Sequence, residues 1–204
     1  MTIVDRLTVR RFHEIRTDQH GEGTTQALGW KNFHSQQARF AMLEDIGDMN
    51  DCSVLDIGCG HGDLRAYLDD KYPRLRYAGI DQMESFLDIA IDRYAHLPDT
   101  AFYHGDCYSA ELPGMDYVLA CGSLSYRNSD EDFIEQMISK LFNTCRIALG
   151  FNLLSRVDEP GGILMAYAPE VIVKYCRTLT DNVVLHQGYF DDDFTVWMYK
   201  KAGG

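Results

Sequence analysis

Short apolar runs alternate along this chain with stretches in which apolar residues recur every three or four positions, a pattern that predicts buried strands joined by helices. Strands are predicted over 53–57, 76–80, 100–103, 116–120 and 145–151, and helices over 64–68, 83–94 and 131–141. The series Phe133, Ile134, Met137, Ile138 and Leu141 puts one apolar stripe on a helix, and Phe86, Leu87 and Ala90 do the same on the helix before it. A helix-like stretch occupies 31–46, with Phe33, Ala38, Ala41 and Met42 as its packing positions. Ahead of it the first thirty residues are polar, with a flexible-looking patch from His20 to Thr25. A last helix, 169–178, opens on Pro169, where the missing N–H costs nothing. Strands at 183–186 and 194–199 close the chain.

Strands alternating with helices imply right-handed crossovers and a parallel sheet covered on both faces. The last two strands are joined only by the short, Asp-rich segment 188–193 and must pair as a hairpin, so one strand runs antiparallel. A dinucleotide-binding domain usually continues with further crossovers, so the hairpin counts against a nicotinamide-dependent oxidoreductase. No repeat or linker divides the chain, which predicts a segment 1–30 followed by one domain, 31–204. Within it, 152–168 has little periodicity and contains Gly161-Gly162, as a mobile cover over a site would.

Composition narrows the partners. The 204 residues are 46% apolar and 25% charged, ordinary for a globular protein, and the net charge is −12. With no basic run, the chain has no general attraction for phosphate backbones or anionic membranes, so a small molecule is the expected partner and nucleic acid is not. No apolar stretch is long enough to span a bilayer, and the N-terminus lacks the apolar core of a signal peptide. Six cysteines without CxxC spacing point to neither a disulfide framework nor a metal site, and a reducing cytoplasm suits them.

The strand 53–57 runs into Gly58-Cys-Gly-His-Gly62 and then a helix. Glycines let the backbone turn tightly and approach a ligand, while the helix start offers free N–H groups. Alone such a turn is a weak signal, but acidic residues follow it at successive strand ends. Asp81 ends the second strand, 25 positions after Asp56, where a carboxylate accepts from ribose hydroxyls or caps the next helix. Asp106 follows the third strand, as a turn residue or as a second ligand contact.

Together, Val54-Leu-Asp-Ile-Gly-Cys-Gly-His-Gly-Asp-Leu64, Gly79-Ile-Asp81, Gly105-Asp106 and Asp116-Tyr-Val-Leu resemble the first four motifs of class I S-adenosylmethionine-dependent methyltransferases. The resemblance covers roughly 31 to the C-terminus and implies a three-layer α/β, Rossmann-like fold whose seven-stranded, mostly parallel sheet ends in an antiparallel strand. It implies that Asp56, Gly58, Cys59 and Gly60 cradle the methionine part of the cofactor, S-adenosylmethionine. By the same resemblance Asp81 holds the ribose, Gln82 and Met83 flank the adenine, Asp106 and the Cys107 main chain meet its amino edge, and Cys121 and Gly122 lie near the methyl. Gly29-Trp-Lys-Asn-Phe-His-Ser-Gln-Gln-Ala-Arg-Phe40 resembles a pre-domain helix (31–47) that closes over the cofactor, with Arg39 toward its carboxylate.

The resemblance stops at the cofactor. A sulfonium methyl is already electrophilic, so alignment supplies much of the acceleration and a base is needed only for an acceptor that loses a proton. The fourth strand ends in Ala120-Cys-Gly-Ser-Leu-Ser-Tyr126, without the Asn/Asp-Pro-Pro-Tyr of methyltransferases acting on nucleobases. Candidates at the acceptor side are His34, Tyr126 and Asn152 for catalysis and Tyr126, Asn152 and Tyr189 for binding, with Ser125, Arg127, Tyr167 and Asp193 as further lining. The expected activity is methylation of a small molecule. Alternatives are methylation of a protein or peptide side chain, or a non-catalytic cofactor-binding scaffold. The oligomeric state is left open.

Overall fold

A computed structural model describes residues 1–159 and 161–201. Residue 160, inside the expected cover, and residues 202–204, at the end of the expected domain, lie outside the described residues.

Thirteen elements follow one another: α1 Ile3–His20, α2 Phe33–Glu44, β1 Ser53–Ile57, α3 Asp63–Asp69, β2 Arg76–Asp81, α4 Glu84–Tyr94, β3 Thr100–His104, β4 Met115–Ala120, α5 Phe133–Thr144, β5 Cys145–Leu154, α6 Pro169–Leu179, β6 Val183–Gln187 and β7 Asp193–Tyr199. The strands form one sheet in the order β3-β2-β1-β4-β5-β7-β6. Pairing is parallel from β3 through β5, while β7 runs antiparallel to both β5 and β6. The sheet therefore has the strand count and the reversed last strand that the hairpin implied.

Strand pleating divides the core into two layers. Leu55, Ile57, Val118, Ala120, Leu149, Phe151 and Val196 face α5 and α6, where they meet Met137, Ile138, Leu141 and Cys176. On the other face Val54, Tyr117, Leu119 and Ala148 meet Phe40 and Leu43 of α2 and Leu64 and Leu68 of α3. Because β1 lies between β2 and β4, the ends of three neighbouring strands open onto one crevice.

Two elements depart from expectation. The first is α1, an eighteen-residue helix in the segment the polar composition left without structure. Its start is specified locally: Thr2 and Asp5 form a reciprocal capping box, and Gly21 ends it with φ +89°. The second is α2, which buries Ser35, Gln36, Arg39, Phe40 and Leu43 and leaves Phe33 64% exposed. Its inward face carries polar side chains because it covers a cavity, and that shifted the apparent apolar stripe.

β5 extends to Leu154, so 152–154 belongs to the sheet. Residues 163–165 are tied to the β4 end through a Tyr126–Leu164 bridge and the bonds Arg127 N to Ile163 O (2.7 Å) and Met165 N to Ser125 O (2.8 Å). No helix among the described residues is long and apolar enough to cross a membrane.

Candidate functional site

The ends of β1, β2 and β4, closed over by α1 and α2, enclose a cavity of about 500 Å³. That volume lies in the range of small-molecule sites. All twelve residues expected around a cofactor line it, from Asp56 and the glycine turn through Asp81 and Asp106 to Cys121, Gly122 and Arg39.

The glycine turn is built by necessity. Gly58 has φ +72°, and a Cβ there would lie 2.5 Å from Ser123 Cβ. Its backbone is thus bare toward the cavity, and its N–H donates to Ile80 O at 2.8 Å. Asp81 braces the turn, with Oδ2 accepting from Gly60 N and Oδ1 from Met83 N, each at 2.9 Å. Asp81 lines the cavity and holds the turn before α4, but it does not cap that helix, whose N-cap is Met83 with no side-chain capping bond. Burial raises its carboxyl above the usual range, against the pull of those N–H groups.

Asp56 is 2% exposed and accepts from Tyr77 Oη at 2.5 Å. Burial pushes it up to about 7, partly offset by that hydrogen bond. A carboxylate so short of positive partners suits a ligand ammonium. Asp106 caps its turn through Tyr108 N (3.0 Å) and Ser109 Oγ (2.9 Å) and pairs with Arg6 of α1 at 3.0 Å.

At the β4 end, Gly122 has φ +69°, and a Cβ there would meet the Trp30 ring at 2.5 Å. Asn152 Oδ1 accepts from Gly122 N at 2.7 Å, and its Nδ2 lies 3.5 Å from Cys121 Sγ. The asparagine faces the cavity, but its amide is committed to shaping this loop. Burial holds the Cys121 thiol protonated, well above its ordinary range, so it is no nucleophile at neutral pH.

Other candidates lie elsewhere. His34 is exposed, on the solvent side of α2, with its ring 6.2 Å from Phe190. Residues 36, 39 and 40 set the buried phase of that helix, and 34 falls off it. Tyr189 folds back onto β7, its hydroxyl 2.7 Å from Thr195 Oγ1, and does not line the cavity. Arg127 and Tyr167 also lie off the wall, whereas Ser125, Tyr126 and Asp193 are on it. Arg39 reaches the cavity with its guanidinium paired to Asp193, 5.2 Å from the Trp30 ring and 5.3 Å from that of Phe190.

Apart from Trp30, in the segment expected to close over the cofactor, the roof was not legible in the sequence. Val9, Phe12 and His13 of α1, with Leu28 and Trp30 after it, cover the cavity. Thr2 and Asp5 at capping-box spacing were the available signal for α1. Nothing local indicated that His13 would meet Tyr126, 113 positions away.

Residues 54–146 match a family model described as a methyltransferase domain. Trans-aconitate 2-methyltransferase of Enterobacter sp. (strain 638) is 30% identical over 129 residues, covering 63% of this chain and 47% of that protein. The Escherichia coli protein of the same name is 27% identical over 139 residues, 68% of this chain and 47% of that protein. The chain thus spans about half the length of these relatives. Among solved structures, magnesium protoporphyrin IX methyltransferase from Synechocystis PCC 6803 with bound SAH superposes with a TM-score of 0.69 at 18% identity, covering 97% of both chains. Human N-acetylserotonin methyltransferase with SAM gives 0.68 at 14% identity, covering 95% of this chain and 58% of that one. At such identities these structures speak for the fold alone.

Proposed function

We propose that the chain is a class I S-adenosylmethionine-dependent methyltransferase that transfers the cofactor's methyl group to a small-molecule acceptor. The observation that carries the reading is the single cavity lined by the glycine turn, Asp56, Asp81 and Asp106 together.

The residues present fit this cofactor. Asp56, short of positive partners, takes the amino group, beside the bare backbone of Gly58 and Gly60. Asp81 accepts from the ribose, Gln82 and Met83 flank the adenine, and Asp106 and Cys107 meet its edge. Arg39, expected at the cofactor carboxylate, lies on the same cavity wall with its guanidinium held by Asp193 and the Ser35 carbonyl. Held there, S-adenosylmethionine would supply an electrophilic methyl for in-line displacement by an acceptor lone pair, the C–S electrons returning to sulfur to leave S-adenosylhomocysteine.

The chain's own contribution is alignment and exclusion of water. Asn152 sets the Cys121-Gly122 loop, Trp30 packs on Gly122, and α1 with 156–159 and 162–164 covers the opening. An apolar roof of Val9, Phe12, Leu28 and Trp30 suits a small acceptor. The reading is tested by calorimetry with S-adenosylmethionine, S-adenosylhomocysteine and NAD, followed by a metabolite panel with methyl-labelled cofactor. Binding of the two adenosyl compounds but not NAD, with label in a metabolite, is expected. NAD binding alone overturns the cofactor assignment; cofactor binding with no labelled product at all overturns the enzyme in favour of a scaffold.

A further inference from the structure

Asp192 and Asp193 stand at the start of β7, and both line the cavity while only 6% and 4% exposed. In the antiparallel register Asp193 lies opposite Leu154 and Thr195 opposite Asn152, the residue that holds the β4 loop. The pair therefore sits at the acceptor side, away from the carboxylates on β1 and β2.

Each carboxylate is half satisfied. Asp192 Oδ2 takes Lys31 Nζ at 2.5 Å, and Asp193 Oδ2 takes Arg39 Nε. The two Oδ1 atoms are buried and have no hydrogen-bond partner among the described residues. Arg39 Nη2 is 3.8 Å from Asp192 Oδ1, too far to donate, and Arg39 Nη1 is committed to Ser35 O at 3.0 Å. Burial pushes Asp193 up to about 6, against the pull of Arg39 and of the Phe194 N–H. A buried acceptor without a donor is unfavourable, and a ligand that donates there removes the penalty. The whole wall carries eight Asp or Glu side chains against four Lys or Arg, two of which are Lys31 and Arg39, already paired. Such a wall repels a polycarboxylate.

We infer that Asp192 and Asp193 form an acceptor subsite for a cationic, hydrogen-bond-donating group, so that the methyl acceptor is an amine-bearing small molecule. This rests on the methyltransferase reading and departs from the acceptor in the relatives' name. The amine held there is the recognition handle, and the methylated atom lies toward Cys121 and Gly122.

The test uses two probes of one skeleton, tyramine and 3-(4-hydroxyphenyl)propionate, together with trans-aconitate, titrated calorimetrically into the chain with and without saturating S-adenosylhomocysteine. Tyramine is expected to bind at least tenfold more tightly than either acid. Asp192→Asn should reduce that preference about tenfold with S-adenosylhomocysteine affinity unchanged, and Lys31→Ala, which removes a competing cation, should increase it. Equal or tighter binding of an acid, no measurable tyramine binding, or a preference indifferent to both substitutions overturns the subsite. Failure of S-adenosylhomocysteine to bind overturns the cofactor reading instead, and the amine preference is then still read on the free chain.

Discussion

His13 on α1 accepts the phenolic proton of Tyr126: its Nε2 lies 2.8 Å from the hydroxyl, while its Nδ1 lies 3.1 Å from Ala27 O. A carbonyl only accepts, so Nδ1 carries the hydrogen and Nε2 is the free lone pair. Burial lowers the imidazole to about 4, keeping it neutral near pH 7. One side chain thereby ties the N-terminal helix to the loop after β4.

Tyr126→Phe leaves that buried Nε2 without a donor, and a loss of about 1–3 kcal/mol of stability is expected. A fall in the urea midpoint at unchanged slope checks it. The same variant should release S-adenosylhomocysteine faster in stopped-flow, because α1 forms the roof. An unchanged midpoint would remove the tie between helix and loop.

Asp56 predicts a pH dependence of cofactor binding. Its free-state value is about 7, and a ligand ammonium binds the ionised form. S-adenosylhomocysteine affinity should therefore rise up to about pH 7 and fall roughly tenfold for each pH unit below it. Tyr77→Phe removes the bond that lowers Asp56, so the inflection should move upward. Calorimetry from pH 5.5 to 8.5 reads both.

His61 is fully buried, with both ring nitrogens unpartnered among the described residues, and burial lowers it to about 4. Its folded value lies below its unfolded one, so the unfolded chain binds the extra proton and stability is lost as pH falls from about 6.5 toward 4. His61→Gln deletes that proton uptake. Near pH 5 its unfolding free energy should change with pH less positively than the native protein's, by about 1.4 kcal/mol per unit. Parallel curves from pH-dependent denaturation would contradict the burial of a neutral imidazole.

Gly58→Ala forces a side chain into the left-handed region and against Ser123, and should cost more than about 1 kcal/mol and weaken cofactor binding. Gly105→Ala is the control. It has no positive φ, and its Cβ would meet only the Ile80 side chain, 3.3 Å from Cδ1 and 3.7 Å from Cγ1, so a smaller thermal shift is expected.

Much of the fold was legible because strands and most helices are local patterns. β1 through β4 announce themselves as apolar runs, α5 as a stripe at helical spacing, and Pro169 as the start of α6. The short β6–β7 connection required a hairpin, since no crossover fits in so few residues. The glycine turn and the aspartates at the strand ends were readable for the same reason: a backbone that must turn tightly beside a ligand needs glycine, and strand ends carry the groups that meet it.

What tertiary structure alone decided is which side chains were already spoken for. Asn152, Arg39 and Tyr126 looked like free polar groups and proved to be held by Gly122, Asp193 and His13 across long stretches of chain. His34 lost its place because one step of helix phase turns a side chain from cavity to solvent. The unsatisfied oxygens of Asp192 and Asp193 are likewise invisible in a string of aspartates, for burial without a donor is a property of packing. Local spacing determined the glycine-turn side of the cavity, and long-range contact determined the side of Asn152, Asp192 and Asp193.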